Sequence, residues 1–410
     1  MDFQLLDDSN NSGTVIKVIG VGGAGGNAIS HMMRAGLKGV DFICANTDMQ
    51  ALSGTEAPVQ IRLGRSGLGA GAKPEQGRAA AETAREEIRA ALNGANMVFI
   101  TAGMGGGTGT GAGPVVAEVA KELGILTVGV VTKPFTFEGT KRLRAAEEGI
   151  ADLSKHVHSL IVVLNEKLYE LMGDDASQDD CFKEADNVLY NACAGIAEII
   201  NVQGNINVDF EDVKTIMGEH GQAMMGTAVA SGPDRARIAA ENAIACPLLE
   251  GVDLNGARGL LVNITASRSL KMSETRLINE IISSYAAKDA TIIVGSAYDD
   301  DMADELRVTV VATGLGRKQP ELVVNNSADE EFDVLTGTHG GNTDLYGGSF
   351  LNQPSGGRAP APVPPTVIRS GRGGGGTAPN KAQFEQQVRA MESSGVERFD
   401  IPAFLRKQAD

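Results

Sequence analysis

Between Met97 and Leu123 an apolar run meets a block of glycines and then a helical pattern. Met97-Val98-Phe99-Ile100-Thr101-Ala102, a β-branched and apolar run, reads as a buried strand. It runs straight into Gly103-Met104-Gly105-Gly106-Gly107-Thr108-Gly109-Thr110-Gly111-Ala112-Gly113, after which Pro114 leads a helical pattern to Leu123. A low-complexity linker has a similar composition, but a linker is not clamped between a strand and a helix. On a strand-to-helix turn, backbone N–H groups and a helix N-terminus converge on an anion. Glycine suits such a turn because a side chain would collide with a phosphate and because the turn calls for positive φ. Thr108 and Thr110 are expected to add hydroxyl donors.

Two more stretches of this kind follow strands. Val15–Ile19 leads to Gly20-Val21-Gly22-Gly23-Ala24-Gly25-Gly26-Asn27 and a helix over 28–35. Alone, Gly20-x-Gly22-x-x-Gly25 is a dinucleotide fingerprint and supports a nicotinamide-dependent oxidoreductase. That reading expects an acid closing the second strand. Val40–Ala45 ends instead in Asn46-Thr47, with Asp48 just beyond, so the reading stays open. A dinucleotide enzyme needs only one such turn, however, and the third here is Gly64-Arg65-Ser66-Gly67-Leu68-Gly69-Ala70-Gly71-Ala72-Lys73. Pro74 then opens a helix to about residue 92, at the position where proline is tolerated; a mobile surface loop would share the composition of 64–73. There is no G-x-x-x-x-G-K-[ST], so a phosphate would be held without a P-loop lysine.

Strands at Ile125–Thr132 and Leu160–Leu164 continue the alternation with helices, which predicts a mostly parallel sheet covered on both faces. Loops after such strands can all face one ligand. A long helix is expected from Asp179 to Asn201, with Phe182, Ala185, Leu189, Ala192, Ile196 and Ile199 at steps of three and four. Being apolar nearly all round, it belongs in the interior. Asp186 then needs a partner, since a buried unpaired carboxylate is costly; the bland alternative is an exposed acid near the positive end of the helix. Asp209 has the place of a cap for a short helix through Met217.

Gly105-Gly106-Gly107-Thr108-Gly109-Thr110-Gly111 resembles the phosphate loop of the tubulin/FtsZ family of GTPases, over roughly 14–315 and the last dozen or so residues. The resemblance implies an α/β fold: a Rossmann-like GTPase domain with a mostly parallel sheet, a long central helix, a smaller α+β second domain and a disordered C-terminal tail. It implies GTP hydrolysis to GDP and phosphate by a homopolymer that stacks head to tail into the cytokinetic ring, in the cytoplasm at mid-cell. Gly22, Gly23, Ala24, Gly25, Gly26 and Asn27 would bind nucleotide, as would Gly105, Gly106, Gly107, Thr108, Gly109 and Thr110. Ala70, Gly71 and Ala72 would sense the γ-phosphate. Glu138 and Arg142 would lie at the ribose and phosphates, Asn165 near sugar and base, Phe182 stacked on the ring and Asp186 on guanine; Glu138 or Arg142 alone would more often be a solvated charge. A carboxylate accepts from both N1–H and the 2-amino group of guanine, donors that adenine lacks. Asn207, Asp209 and Asp212 would form the catalytic loop. At about 1.5 Å of helix rise per residue, Asp186 and Asp209 stand roughly 25–30 Å apart, so one GTP cannot meet both on one chain. No protein metal site is visible, and Mg2+ would be held mainly by phosphates and water.

The 410 residues suggest two domains and a tail. The expected map is a flexible N-terminal tail at 1–13, a GTP-binding domain at 14–178, the central helix at 179–202, the catalytic loop and short helix at 203–220, and an α+β domain at 221–316. A disordered linker at 317–396 follows, rich in Gly, Pro, Ser and Asn, with a transient helix at 382–391. A docking peptide at 397–410 carries Phe399, Ile401, Phe404 and Leu405; the resemblance assigns residues 398–410 to the membrane adaptors FtsA and ZipA, with division-site regulators as further partners. A net charge of −16 argues against a nucleic-acid groove. The acidic start at 1–11 is not a signal peptide, and no apolar run reaches about 18 residues. Cys44, Cys181, Cys193 and Cys246 form no C-x-x-C pair and read as buried free thiols of a reducing cytosol. Asp299-Asp300-Asp301 reads as an exposed turn. A third reading is a nucleotide-binding scaffold without turnover.

Overall fold

Apolar residues alternate between two cores along the first strands, as the two-residue side-chain period of a strand requires. In the computed structural model, which describes residues 13–173, 175–201, 208–218, 221–246, 257–287 and 290–315, Ile16, Val18, Met97 and Phe99 pack into one core and Ile19, Val21, Val98 and Ile100 into the other. Asn207, the linker, the transient helix and the docking peptide lie outside the described residues.

The elements are β1 (Ile16–Val21), α1 (Gly22–Arg34), β2 (Asp41–Asn46), α2 (Met49–Ser53), β3 (Val59–Arg62), α3 (Pro74–Thr83), α4 (Arg85–Leu92), β4 (Met97–Gly103), α5 (Thr108–Glu122), β5 (Leu126–Lys133), α6 (Thr140–Leu153), β6 (Ser159–Leu164) and α7 (Asn165–Met172). After them come α8 (Gln178–Asn201), α9 (Phe210–Met217), β7 (Gly221–Ser231), α10 (Arg235–Ile244), β8 (Gly259–Ala266), α11 (Met272–Tyr285), β9 (Thr291–Tyr298) and β10 (Glu305–Leu315). The first six strands run in the order β3-β2-β1-β4-β5-β6, every neighbouring pair parallel. α1 and α8 cover one face; α3, α4, α5 and α6 cover the other. This is the doubly wound order, and its direction reverses between β1 and β4. In such sheets the ligand crevice lies outside the carboxyl ends of the strands at that reversal.

The second half extends the same ladder. β7 joins β6 in parallel through Ser159↔Gly221, Leu160↔Gln222 and Ile161↔Ala223, then β10 pairs antiparallel with β7 and β8, and β9 parallel with β8. A third core forms where α10 and α11 cover β8 and β10. α8 lies against both halves, with Ala192, Cys193, Ile196 and Ala197 at 0% exposure. All four cysteines are free, and only Cys246 is not buried.

Helix starts differ from expectation at the glycine stretches. α1 begins at Gly22 rather than Ala28, and α5 at Thr108 rather than after Pro114, so Pro114 sits inside the helix. Most of these glycines answer a demand for space, which adds no break to the helical period. A Cβ on Gly111 would stand 1.9 Å from the Pro74 carbonyl oxygen, and one on Gly109 2.5 Å from that of Gly103. Positive φ is taken in these two turns only by Gly22, at 78°, and Gly105, at 95°. The 64–73 loop is the twisted one, and there Ala72 is held at φ 56°, a left-handed conformation costing a side chain about 1–2 kcal/mol. The helix expected from Pro74 to Leu92 breaks at Ala84 into α3 and α4, with Pro74 in its first turn as expected.

Candidate functional site

A pocket of two lobes opens at the reversal point. One lobe, of about 310 Å³, is lined by Gly23, Ala24, Gly106, Gly107, Thr108, Gly109, Glu138, Arg142, Asn165 and Phe182, together with Val21, Gly103, Met104, Thr132 and Pro134. The other, of about 420 Å³, includes Gly22, Gly23, Gly26, Asn27 and Asp186, with His31, Arg34, Asn46 and Lys183 among further residues. Gly23 belongs to both. Fourteen expected nucleotide contacts thus share one crevice: Gly22, Gly23, Ala24, Gly26, Asn27, Gly106, Gly107, Thr108, Gly109, Glu138, Arg142, Asn165, Phe182 and Asp186.

The other expected residues stand elsewhere. Gly25 is behind the wall, where a Cβ would meet the Thr101 carbonyl oxygen at 2.6 Å. Thr110 lines neither lobe: its buried hydroxyl oxygen accepts from the Gly105 N–H at 2.9 Å and shapes the loop from within. Ala70, Gly71 and Ala72 line neither lobe; their loop packs on Gly107, where a Cβ would come within 2.8 Å of Ala70 Cβ and 3.2 Å of Ala72 N. Asp209 and Asp212 line neither lobe and are exposed.

Two helix N-termini meet at the crevice. Neither α1 nor α5 has a side-chain cap or an acid in its first turn, so their leading N–H groups and positive dipole ends remain available to an anion. Arg142 stands at the rim, its Nη1 2.5 Å from Glu138 Oε2, while Glu138 Oε1 accepts from the Phe135 N–H at 3.0 Å. The two form one unit, and Glu138 is no solvated charge, its side chain being 15% exposed. The Asn165 side-chain oxygen is buried and has no hydrogen-bond partner among the described residues. Leaving such an acceptor unpaired costs about 1–3 kcal/mol, so it fits a ligand donor. Phe182 departs from the buried stripe expected of it: it is 40% exposed, held edge-on by Phe135 at 5.2 Å, and available for stacking.

Asp186, near the start of α8, is half-buried and without a hydrogen-bonding partner among the described residues. Burial pushes its carboxyl up to about 6, against the opposing pull of Arg34. Lys183, on the same helix, is engaged by Asp179 at 2.5 Å. His31 is lowered by burial and then by Arg34, with Glu184 acting the other way. His31 and Arg34 were not expected at the site, since a cation on a helix flank is indistinguishable in sequence from a solvated one.

Asp48, which kept the dinucleotide reading open, caps α2: its Oδ1 accepts from the N–H groups of Gln50 and Ala51 at 2.9 and 3.2 Å. Asp209 likewise caps α9, its Oδ1 accepting from the Asp212 N–H at 2.9 Å. Phe182 and Asp186 lie near the N-terminal end of the 24-residue α8, whereas Asp209 and Asp212 follow its C-terminal end; from Asp186 to Asn201 the helix alone advances about 22 Å. Among the described residues, no three His, Cys, Asp or Glu cluster as a metal site would require.

The family description "Tubulin/FtsZ family, GTPase domain" matches residues 15–173, and "FtsZ family, C-terminal domain" matches residues 221–316. The cell division protein FtsZ of Azotobacter vinelandii is 51% identical over 425 residues, covering all of both chains. That of Coxiella burnetii is 57% identical over 314 residues, 76% of this chain and 81% of its own. Among solved structures, an FtsZ dimer of M. jannaschii superposes with a TM-score of 0.71 at 42% identity, covering 75% of this chain and 89% of that one.

Proposed function

Because this chain belongs to the tubulin/FtsZ family of GTPases, we propose that it hydrolyses GTP in filaments of its own copies, stacked head to tail at the division site, each catalytic site being completed by the next chain. The observation that carries this is the separation along α8. The crevice lies at one end of a rigid helix and the acids Asp209 and Asp212 beyond the other. A heterologous contact of this kind joins one end of a copy to the opposite end of the next, and it propagates. Large apolar side chains near the crevice suit a covered face: Leu68 in the 64–73 loop is 89% exposed and Phe137 beside Glu138 is 70% exposed.

The two N-terminal helix ends hold the phosphates, Phe182 stacks on the base, and Asp186 accepts from guanine N1–H and the 2-amino group. Asp209 and Asp212 of the following copy, with Asn207, orient and polarise the attacking water. Mg2+, carried by phosphate oxygens and water, would neutralise charge on the phosphates. Light scattering with GTP against GDP, with phosphate release followed in the same sample, tests the reading. Scattering that rises with GTP alone, accompanied by phosphate, is expected; binding with no released phosphate would leave a scaffold without turnover.

Residues 398–410 are proposed to dock the adaptors FtsA and ZipA through Phe399, Ile401, Phe404 and Leu405 at the end of a tether. Deleting them should leave assembly and GTP turnover intact and abolish adaptor capture in a sedimentation assay. Lost assembly would refute the tether.

At about pH 6 and below, guanine binding is also expected to release a proton. The free carboxyl of Asp186 titrates near 6, and two ligand donors favour its charged form and lower that value. Affinity should therefore fall as pH drops through about 6, by about tenfold per pH unit below it. Calorimetric titration in two buffers of different ionisation enthalpy reads the proton directly, and Asp186→Asn should remove it.

A further inference from the structure

Thr47 follows β2 directly, next to Asn46 of the crevice lining, and is 3% exposed. Its hydroxyl oxygen lies 2.7 Å from that of Thr108, in the first turn of α5. Its backbone is fastened too: the Thr47 carbonyl accepts from the Gly69 N–H at 3.2 Å, and the Met49 N–H donates to the Gly67 carbonyl at 3.1 Å. Asp48 and Leu68 form a β-bridge between these bonds. One residue thus joins the helix N-terminus that lines the crevice to the loop at 64–73.

We infer that Thr47 is a positioning residue of the nucleotide site, its hydroxyl donating to Thr108 so that the Thr108 proton is directed at the phosphates. The inference rests on the proposal that this lobe holds a nucleotide. Between two hydroxyls only one proton lies in the shared bond. If Thr108 gave that proton to Thr47, it would turn lone pairs toward an anion. With Thr47 as donor, the Thr108 O–H stays free, and a chain Thr47 O–H to Thr108 O–H to phosphate oxygen forms in which each bond polarises the next. The anion selects this arrangement, and the burial of Thr47 keeps water from substituting for it. The Thr47 carbonyl also anchors Gly69, so the same residue touches both Thr108 and the 64–73 loop, which packs on Gly107 as well.

The test is a double-mutant cycle on the full chain, with GTP and GDP affinities measured by calorimetry and melting temperatures recorded alongside. Thr47→Val keeps the shape and removes the hydroxyl, and should weaken GTP binding about tenfold, the scale of a hydrogen bond supporting a charged partner. Thr47→Ser should restore it. Thr108→Val should weaken binding by itself, and adding Thr47→Val to it should cost nothing more. An equal loss from Thr47→Val in both backgrounds would make Thr47 merely structural, and unaltered binding in Thr47→Val would also overturn the inference. Should Thr47→Val melt below the assay temperature, Thr47→Ala against Thr47→Ser supplies the same comparison. If the unaltered chain binds no guanine nucleotide, it is the proposed function that fails.

Discussion

Asp212→Ala is expected to bind GTP with unaltered affinity and to assemble, while hydrolysis falls at least about a hundredfold, the range for loss of a group that handles the attacking water. Asp212 lines neither lobe of its own chain's pocket, so nothing in the free protein's binding site depends on it. It is a cleaner target than Asp209, whose carboxylate caps α9; Asp209→Ala also removes about 1 kcal/mol of helix stability, mixing a folding effect into the rate. Asp212→Asn separates charge from shape, since it keeps the size of the side chain and loses the carboxylate. Phosphate release and nucleotide affinity measured on one preparation decide the matter. Lost GTP binding in Asp212→Ala would contradict the assignment of the acid to the neighbouring copy's site.

Asp186→Asn should weaken GTP binding about a hundredfold or more and give the protein a preference for xanthosine triphosphate. An asparagine side chain offers one acceptor and one amide donor group. Its NH2 then opposes the guanine 2-amino group, and a mismatch between buried donors is penalised heavily. Xanthine carries an oxygen at that position and accepts from the same NH2. The substitution should also raise the melting temperature of the nucleotide-free protein at neutral pH. The sign follows from the raised carboxyl: near 6 when folded, above its ordinary value, it opposes folding fully above about 6 and not at all below the ordinary carboxylate range. The gain should therefore be present at pH 7 and vanish below about pH 4. Thermal melts at both pH values, with GTP and XTP titrations, read stability and specificity together. On the proposed reading, specificity for guanine rests on a group that burdens the empty fold.

Much of this was legible in the sequence because the relevant signals are local. Val98, Phe99 and Ile100 run into glycines, and that pattern fixes a strand, a turn and a helix N-terminus without any long-range information. The alternation of elements then implies a parallel sheet, and the crevice follows from its topology. Helix starts were less legible: Gly109 and Gly111 lie inside α5 because Gly103 and Pro74 approach it closely, a tertiary demand that composition cannot separate from a turn's need for positive φ. Thr110 as an inward brace, Thr47 as its neighbour's partner, and Arg34 beside Asp186 are products of packing between distant segments. Asp48 is the converse case, an acid just beyond the place of a ribose contact that the chain uses as a helix cap. That the second half extends the first sheet through Ser159–Ile161 could not be seen, because three backbone pairs leave no mark in side-chain pattern.

GTP turnover per chain, measured across a wide range of protein concentration, bears most directly on an active site divided between copies. The expected result is a per-chain rate that collapses as dilution separates neighbouring molecules, while nucleotide binding to each chain persists. A per-chain rate that stays constant down to high dilution would mean that a single molecule carries the whole site, contrary to the separation of Asp186 from Asp209 and Asp212 along α8.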